Sequence, residues 1–316
     1  MRTLPIVDPA GGDAATRIDT ACRDVGFFAV PLDASLRPLR DEVIAIATEF
    51  FALPASEKAK VSMSVGGNAW RGWFPLGGEL TSGVPDRKEG YYYGAQLPPD
   101  PRPMHGPNIW PALPAGMQQA VTAWMAAMEA LGQRLLRLMA QGLQQPTDLF
   151  AGGLTAQPTE LFRIFRYPPH PTGDTNTWGV AEHTDYGLLT LLATDGTPGL
   201  EVNTHSEWIP APADADMVIC NLGDMLDRLT GGRYRSTPHR VRNHAGRDRY
   251  SLPYFLDPGW DAVVDPLSFA DEFDVSAAHQ ARWDKANLSE ISGTYGTWLS
   301  AKVGKVFPAL ADEVLS

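Results

Sequence analysis

"GVAEHTDYGLLTLLATDG", residues 179–196, joins a polar cluster to a dense apolar segment. His183 and Asp185 stand two positions apart where that segment begins. Side chains at i and i+2 of an extended chain project to the same face, so a strand here would point both groups together. Two interpretations are open at this stage: a surface turn, or two of the three ligands of a metal site.

The overall composition is that of a globular protein with many turns. Hydrophobic residues make up 44% of the 316 residues and charged residues 20%, with 30 glycines and 27 prolines. The formal net charge of −11 argues against nucleic acid as a partner, because phosphate-binding surfaces are basic. No apolar run approaches the roughly 20 residues of a membrane span, and no signal-peptide pattern is visible. We expect a cytoplasmic protein, by default a monomer, that does not bind a membrane.

The chain reads as a single domain in three parts. Residues 1–155 are mainly helical, and the longest pattern, residues 114–145, repeats apolar residues at three- and four-residue steps. Residues 156–262 consist of short apolar or alternating segments separated by Gly, Pro, Asp and Asn, which predicts a β-sandwich or a closed barrel. Residues 263–316 are a helical C-terminal part, with a helix expected over about 277–301. The two cysteines lie in apolar sequence and are expected to be buried, inert thiols.

A second histidine completes a possible metal site. His239, in "YRSTPHRV", enters another predicted strand. Two histidines and one carboxylate match the facial triad that holds non-haem Fe(II) and leaves three coordination positions open. Two of these would take a chelating co-substrate and one would take O₂. We therefore predict that His183, Asp185 and His239 bind iron and are the catalytic centre.

Two further segments suggest an anion site beside the metal. Ten residues beyond His239, "RYS" places Arg249 and Ser251 on one strand face, and a buried guanidinium with a neighbouring hydroxyl suits a carboxylate. In "LFRIFRYPP", Arg163, Phe165 and Tyr167 also share a face. Tyr167 could add a hydroxyl donor to the same carboxylate. Arg163 and Phe165 could contact the substrate deeper in the pocket, or Arg163 could form a buried ion pair with a core acid.

Other candidates are more general. Tyr91 and Tyr93 in "YYYG" could line the substrate entrance or could simply pack in the core. Asn221 and Asp224 in "NLGDML" are expected to form a tight turn and to cap the short helix that follows.

Taken together, these segments resemble the isopenicillin-N-synthase-like branch of the Fe(II)/2-oxoglutarate-dependent dioxygenases over most of the chain. The resemblance is carried by "DVGFFAV", "WRGWFPLGGE", "FRYPP", "EHTDYGLLTLLATDGTPGLEV", "NLGDMLDRLTGGRYRSTPHRV" and "RDRYSLPYFLDP". It implies a mainly β fold with flanking helices, built on a double-stranded β-helix (jelly roll), with the predicted triad as the iron ligands. It also implies that Arg249 and Ser251 bind the distal carboxylate of 2-oxoglutarate and that Tyr167 supports the same group. Phe165 departs from the family, since many plant relatives carry Asn there.

The resemblance further implies an oxidoreductase with Fe(II), 2-oxoglutarate and O₂. Such an enzyme hydroxylates, desaturates or cyclises a small molecule at an unactivated C–H bond and forms succinate and CO₂. The expected setting is specialised metabolism. Two alternatives stay open: an Fe(II) oxidase or cyclase of isopenicillin N synthase type that needs no 2-oxoglutarate, or a non-catalytic jelly roll that binds a metabolite. In the oxidase, the arginine and serine would bind a substrate carboxylate instead.

Overall fold

The structure is a computed structural model, and it describes residues 3–81, 83–171, 177–204, 207–269, 288 and 292–307. The helix expected over 277–301 falls largely outside these residues. Residues 295–301 of that segment are described, and they lie in a helix that runs to Val306. None of the described helices is long and apolar enough to cross a membrane.

The described α-helices are concentrated in the first half of the chain. They are α1 Ala14–Asp24, α2 Arg37–Ala52, α3 Ala55–Lys58, α4 Met63–Gly66, α5 Met117–Gly142, α6 Asp224–Leu229 and α7 Tyr295–Val306. Shorter turns of other helix types are Ala34–Leu36, Ala59–Val61, Gly67–Ala69 and Leu149–Leu154. The long helix α5 lies inside the predicted 114–145 segment, and its apolar stripe is buried.

The described strands run from the N-terminal part of the chain into its C-terminal third. They are β1 Phe27–Pro31, β2 Gly72–Phe74, β3 Leu80–Thr81, β4 Val84–Pro85, β5 Glu89–Gly94, β6 Thr159–Tyr167, β7 Val180–His183, β8 Leu189–Thr194, β9 Leu200–Asn203, β10 Trp208–Pro210, β11 Met217–Leu222, β12 His239–Val241 and β13 Arg249–Asp257.

Two antiparallel sheets form the core. The major sheet has the strand order β1-β11-β8-β13-β6-β5-β2, and the minor sheet has the order β10-β9-β12-β7. A separate hairpin pairs β3 with β4. The arrangement is that of a jelly roll, as the sequence predicted, and the described strands do not close into a barrel. Three strands of the major sheet, β1, β2 and β5, come from the part of the chain predicted to be mainly helical, where residues 27–30 alone were predicted as a strand.

The two faces of the major sheet have different roles. Helix α5 packs behind β8 and β13, where Gly132 lets the side chain of Leu256 approach the helix backbone. Helices α1 and α2 pack in turn on α5. The other face of the major sheet, the minor sheet and α7 enclose a cavity of about 580 Å³. Cys22 and Cys220 are fully buried, as predicted, and burial raises the pKa of both thiols.

Candidate metal centre

The predicted metal ligands meet at one point, where the minor sheet faces the major sheet. His183 is the last residue of β7 and His239 the first of β12, and the two are directly opposed partners in the antiparallel ladder. Opposed residues share a face of the sheet, so both imidazoles point into the cavity and their ring centroids lie 4.2 Å apart. Asp185 follows His183 by two residues and reaches the same point. Candidate ligand atoms of the three side chains all lie within 4.8 Å of one another.

Hydrogen bonds fix which imidazole nitrogen is available. Nδ1 of His183 lies 2.8 Å from the carbonyl oxygen of Ala181, and Nδ1 of His239 lies 3.1 Å from that of Thr237. A carbonyl can only accept, so each Nδ1 carries the proton and each Nε2 keeps a free lone pair. The two Nε2 atoms lie 3.9 and 3.8 Å from Oδ1 of Asp185. Three ligand atoms thus converge from one side, and the cavity occupies the other side.

The major sheet holds the carboxylate of Asp185. Its Oδ2 accepts a hydrogen bond from the hydroxyl of Thr190 on β8 and one of 2.6 Å from the amide of Asn221 on β11. Burial opposes ionisation, but the neighbouring His239 and His183 and these two donors outweigh it and lower the pKa of Asp185. Its other oxygen, Oδ1, faces the two imidazoles. The prediction that Asn221 forms a tight turn is wrong, because Asn221 lies within β11 and its amide positions a predicted iron ligand.

Both histidines are held neutral, as a metal ligand requires. Burial, followed by the proximity of His183, lowers the pKa of His239 to about 4. Burial also lowers the pKa of His183. Two neutral imidazoles and one ionised carboxylate are the donor set that non-haem Fe(II) takes, so the residues fit this metal.

The predicted anion site lies elsewhere in the same cavity. Arg249 is 1% exposed and is paired with Tyr167 across β13 and β6. Its Nε donates to the carbonyl oxygen of Thr197 at 3.2 Å, while its Nη1 is buried without a hydrogen-bond partner among the described residues. The hydroxyl oxygens of Ser251 and Tyr167 lie 3.5 Å apart beside it. A carboxylate bound between Arg249, Ser251 and Tyr167 would accept a hydrogen bond from Nη1 of Arg249. The residues therefore also fit the distal carboxylate of 2-oxoglutarate.

Arg163 and Phe165 line the cavity as predicted, but Tyr91 and Tyr93 do not. In the register of β5 with β6, Tyr91 opposes Ile164 and Tyr93 opposes Phe162. Tyr91 packs against Phe50 of α2, and the hydroxyl of Tyr93 lies 3.0 Å from the sulfur of Met117 on α5. The tyrosine that faces the cavity is Tyr92, the register partner of Arg163. Of the two alternatives left open by the sequence, Tyr91 and Tyr93 pack in the core, and three consecutive tyrosines give no alternation that would have identified Tyr92.

A buried ion cluster at the cavity wall was not foreseen. Nζ of Lys88 lies 2.7 Å from Asp86 and 2.9 Å from Glu79, and Glu79 also accepts a hydrogen bond from the hydroxyl of Tyr92 at 2.7 Å. The hairpin β3–β4 brings these charges together, and single charged residues in the sequence give no signal of such pairing. Asp224, expected as a cap, lies inside helix α6, and Gly223 occupies the capping position.

Comparisons with known proteins agree with the non-haem iron site that the geometry indicates. Residues 158–258 match the family described as "2OG-Fe(II) oxygenase superfamily", and residues 4–113 match the "non-haem dioxygenase in morphine synthesis N-terminal" family. A probable iron/ascorbate oxidoreductase of Dictyostelium discoideum is 39% identical over all of this chain and 98% of that protein. A 1-aminocyclopropane-1-carboxylate oxidase of Dictyostelium mucoroides is 31% identical over 98% of this chain and 96% of its own.

Two further relatives are connected with 2-oxoglutarate by name. The 2-oxoglutarate-dependent dioxygenase caaD of Aspergillus niger is 34% identical over 81% of this chain and 81% of its own. The crystal structure of a full-length Neurospora crassa protein in complex with alpha-KG superposes with a TM-score of 0.79, covering 95% of this chain and 96% of that one at 24% identity. At that identity the superposition shows the shared fold alone.

Proposed function

The chain belongs to the 2OG-Fe(II) oxygenase superfamily, and from this membership we propose that it oxidises an unactivated C–H bond of a small molecule. In the same reaction 2-oxoglutarate and O₂ are consumed, and succinate and CO₂ are formed. The observation that carries the proposal is the guanidinium of Arg249, buried at the cavity wall with an Nη1 that has no partner among the described residues. The same cavity contains the triad, so one molecule of 2-oxoglutarate could contact both.

Each part of the site has a defined task in this proposal. Fe(II), when bound with 2-oxoglutarate and O₂, supplies the oxidising chemistry. The carbonyls behind His183 and His239 hold each Nε2 toward the metal, and Asp185 stays ionised on its two donors. Arg249 and Ser251 orient the distal carboxylate of 2-oxoglutarate. The mostly apolar wall of the cavity limits water near the reacting atoms.

The experiment measures O₂ uptake together with succinate and CO₂ release, for protein reconstituted anaerobically with Fe(II), across a panel of small organic substrates. We expect succinate and CO₂ in equal amounts, no reaction without 2-oxoglutarate, and faster turnover when a substrate is present. O₂ uptake that needs ascorbate and proceeds fully without 2-oxoglutarate would refute the proposal.

The second candidate is an oxidase that does not use 2-oxoglutarate. It is favoured by the names of the two Dictyostelium relatives, which match nearly the whole chain. In that enzyme Arg249 would bind a substrate carboxylate, so the Arg249 site is compatible with both functions. The amount of succinate formed for each O₂ consumed distinguishes them. That the enzyme acts in the cytoplasm, as a monomer and in specialised metabolism stays a prediction from the sequence.

A further inference from the structure

The cavity contains a second buried guanidinium, that of Arg163, which the site described above does not use. Arg163 is 6% exposed and lines the cavity from β6. Its Nη1 donates two long hydrogen bonds, both of 3.3 Å, to the carbonyl oxygens of Tyr93 and Phe162. Its Nε and Nη2 donate no hydrogen bond to any residue that the structure describes. The sequence left open whether this cation pairs with a core acid, and no such pair forms within 4.0 Å among the described residues.

The carboxylates that line the cavity are already engaged. Glu79 pairs with Lys88 and Asp185 belongs to the triad. Asp257 accepts hydrogen bonds from the backbone N–H of Leu188 at 3.0 Å and from the hydroxyl of Tyr295 at 2.6 Å. Burial raises the pKa of Asp257 to about 7, so this group is only partly ionised near neutral pH, and its carboxylate does not pair with Arg163 within 4.0 Å. Among the described residues, Arg163 therefore forms no ion pair.

The ring of Tyr92 fixes the orientation of the guanidinium. The Cζ atom of Arg163 lies 3.5 Å from the centroid of that ring, and the hydroxyl of Tyr92 is tied to Glu79. A guanidinium stacked on an aromatic face keeps its in-plane N–H donors available. A second buried arginine strengthens the local positive potential: burial, and then the charge of Arg163, lowers the pKa of Arg71 to about 9.

We propose that Arg163 binds a carboxylate group of the substrate, so that the enzyme oxidises an organic acid. This inference rests on the proposed function, because Arg249 is then occupied by 2-oxoglutarate and a second anion needs a second cation. Leaving a buried guanidinium without a counter-charge is unfavourable, and a planar carboxylate matches its fork of donors. A neutral substrate would leave Arg163 without an ion pair.

The test titrates a panel of aliphatic and aromatic monocarboxylates, each beside its primary amide, into the anaerobic protein loaded with Fe(II) and 2-oxoglutarate. Calorimetry gives the Kd of every member. We expect at least one acid to bind about tenfold or more tightly than its amide. In Arg163→Met that acid should bind about 30-fold or more weakly, and Arg163→Lys should restore only part of the affinity.

The control is Arg166→Met. Arg166 lies on the same strand but pairs with Glu89 and Asp248 on the other face, so its loss should leave the preference for acids unchanged. A panel in which no acid binds better than its amide would overturn the inference, and so would an Arg163→Met protein that keeps the preference.

Failure of the inference and failure of the proposed function can be told apart. The Kd of 2-oxoglutarate for the Fe(II) protein is measured first, and Arg163→Met should match the wild type there. If the wild type does not bind 2-oxoglutarate, the proposed function fails. In that case the Kd values of acids and amides are measured again on protein loaded with Fe(II) but without 2-oxoglutarate. A preference for acids that Arg163→Met loses supports the role of Arg163, and a preference that it keeps overturns it.

Discussion

Arg249 is a buried cation that forms no ion pair within 4.0 Å among the described residues, and this makes its function testable with one substitution. Burial lowers its pKa, which reflects the cost of keeping the charge inside the protein. A ligand carboxylate would remove that cost.

We expect Arg249→Met to raise the KM for 2-oxoglutarate by tens- to thousands-fold, because truncating one partner of a buried charge pair costs about 2–5 kcal/mol. Arg249→Lys should recover little, since an ammonium cannot reproduce the bidentate contact. Steady-state kinetics with varied 2-oxoglutarate provide the measurement. Arg247→Met, two residues away and exposed, is the matched control. An unchanged KM in Arg249→Met would exclude this anchor.

At the scale of single residues, the sequence predicted which side chains meet in the cavity better than it predicted the residues that support them. His183 with Asp185, and Arg249 with Ser251, could each be predicted to share a face because residues two apart in a strand project to the same side. Thr190 and Asn221, which hold Asp185, could not be predicted because their contact depends on the register of β8 with β11. Tyr92 could not be singled out for a different reason: three consecutive tyrosines give no alternation that shows which of them faces the cavity.

At the scale of elements, the N-terminus of α6 holds the loop that follows β7. The backbone N–H of Asp224 donates to the carbonyl of Asp185 at 2.8 Å, and that of Met225 donates to the carbonyl of Gly187 at 3.1 Å. Gly223 makes this approach possible, since a Cβ atom there would lie 2.7 Å from the backbone nitrogen of Gly187. Helix α6 and the loop that follows β7 are therefore in direct contact through their backbone atoms.

Gly223→Ala should therefore weaken Fe(II) binding as well as stability. The added methyl group meets backbone that cannot rotate away, so we expect a loss of about 1–3 kcal/mol in the free energy of unfolding. The displaced loop should raise the Kd for Fe(II) about tenfold or more, as changes around metal ligands do. Thermal unfolding and anaerobic metal titration measure the two effects. Gly12→Ala, where a Cβ atom meets nothing within 4 Å, is the control. Unaltered iron affinity in Gly223→Ala would contradict the coupling of α6 to the loop.

A second link between elements passes through Asp257 at the end of β13. Its carboxyl group joins Leu188, in the same loop, to Tyr295, the first residue of α7. Burial raises its pKa to about 7 from an ordinary value of 3.8, with Asp185 also raising it and Arg163 lowering it. The protonated form is therefore favoured by folding.

When the pKa of a carboxyl group is higher in the folded protein than in the unfolded chain, the group contributes its full stabilisation at pH values below the unfolded-state pKa. This stabilisation is lost as the pH rises toward the folded-state pKa. Compared with Asp257→Asn, the wild-type protein without metal should lose up to on the order of 4 kcal/mol of unfolding free energy between pH 4 and pH 7, with a plateau above. Urea unfolding at a series of pH values gives the difference. The exposed Asp13→Asn variant controls for the loss of one charge. A flat difference across this range would show that Asp257 is ionised throughout.

On the scale of the whole molecule, the jelly roll brings together residues that are far apart in sequence. His183 and His239 meet because β7 and β12 are neighbours in the minor sheet, and Asp185 is held by the major sheet across the cavity. The pattern of short strands predicted a β-sandwich or a closed barrel, and the family resemblance implied the jelly roll. The pattern could not predict which strands pair, since the pairing of distant segments is decided by packing and not by local sequence.

The central claim is that two imidazoles and one carboxylate bind a single Fe(II) ion. Anaerobic equilibrium dialysis against Fe(II), followed by elemental analysis, tests it most directly. The wild type and a His244→Ala control should each retain one Fe(II) per chain, while His239→Ala should bind it more than about 100-fold more weakly. Full retention of tightly bound iron by His239→Ala would contradict the account.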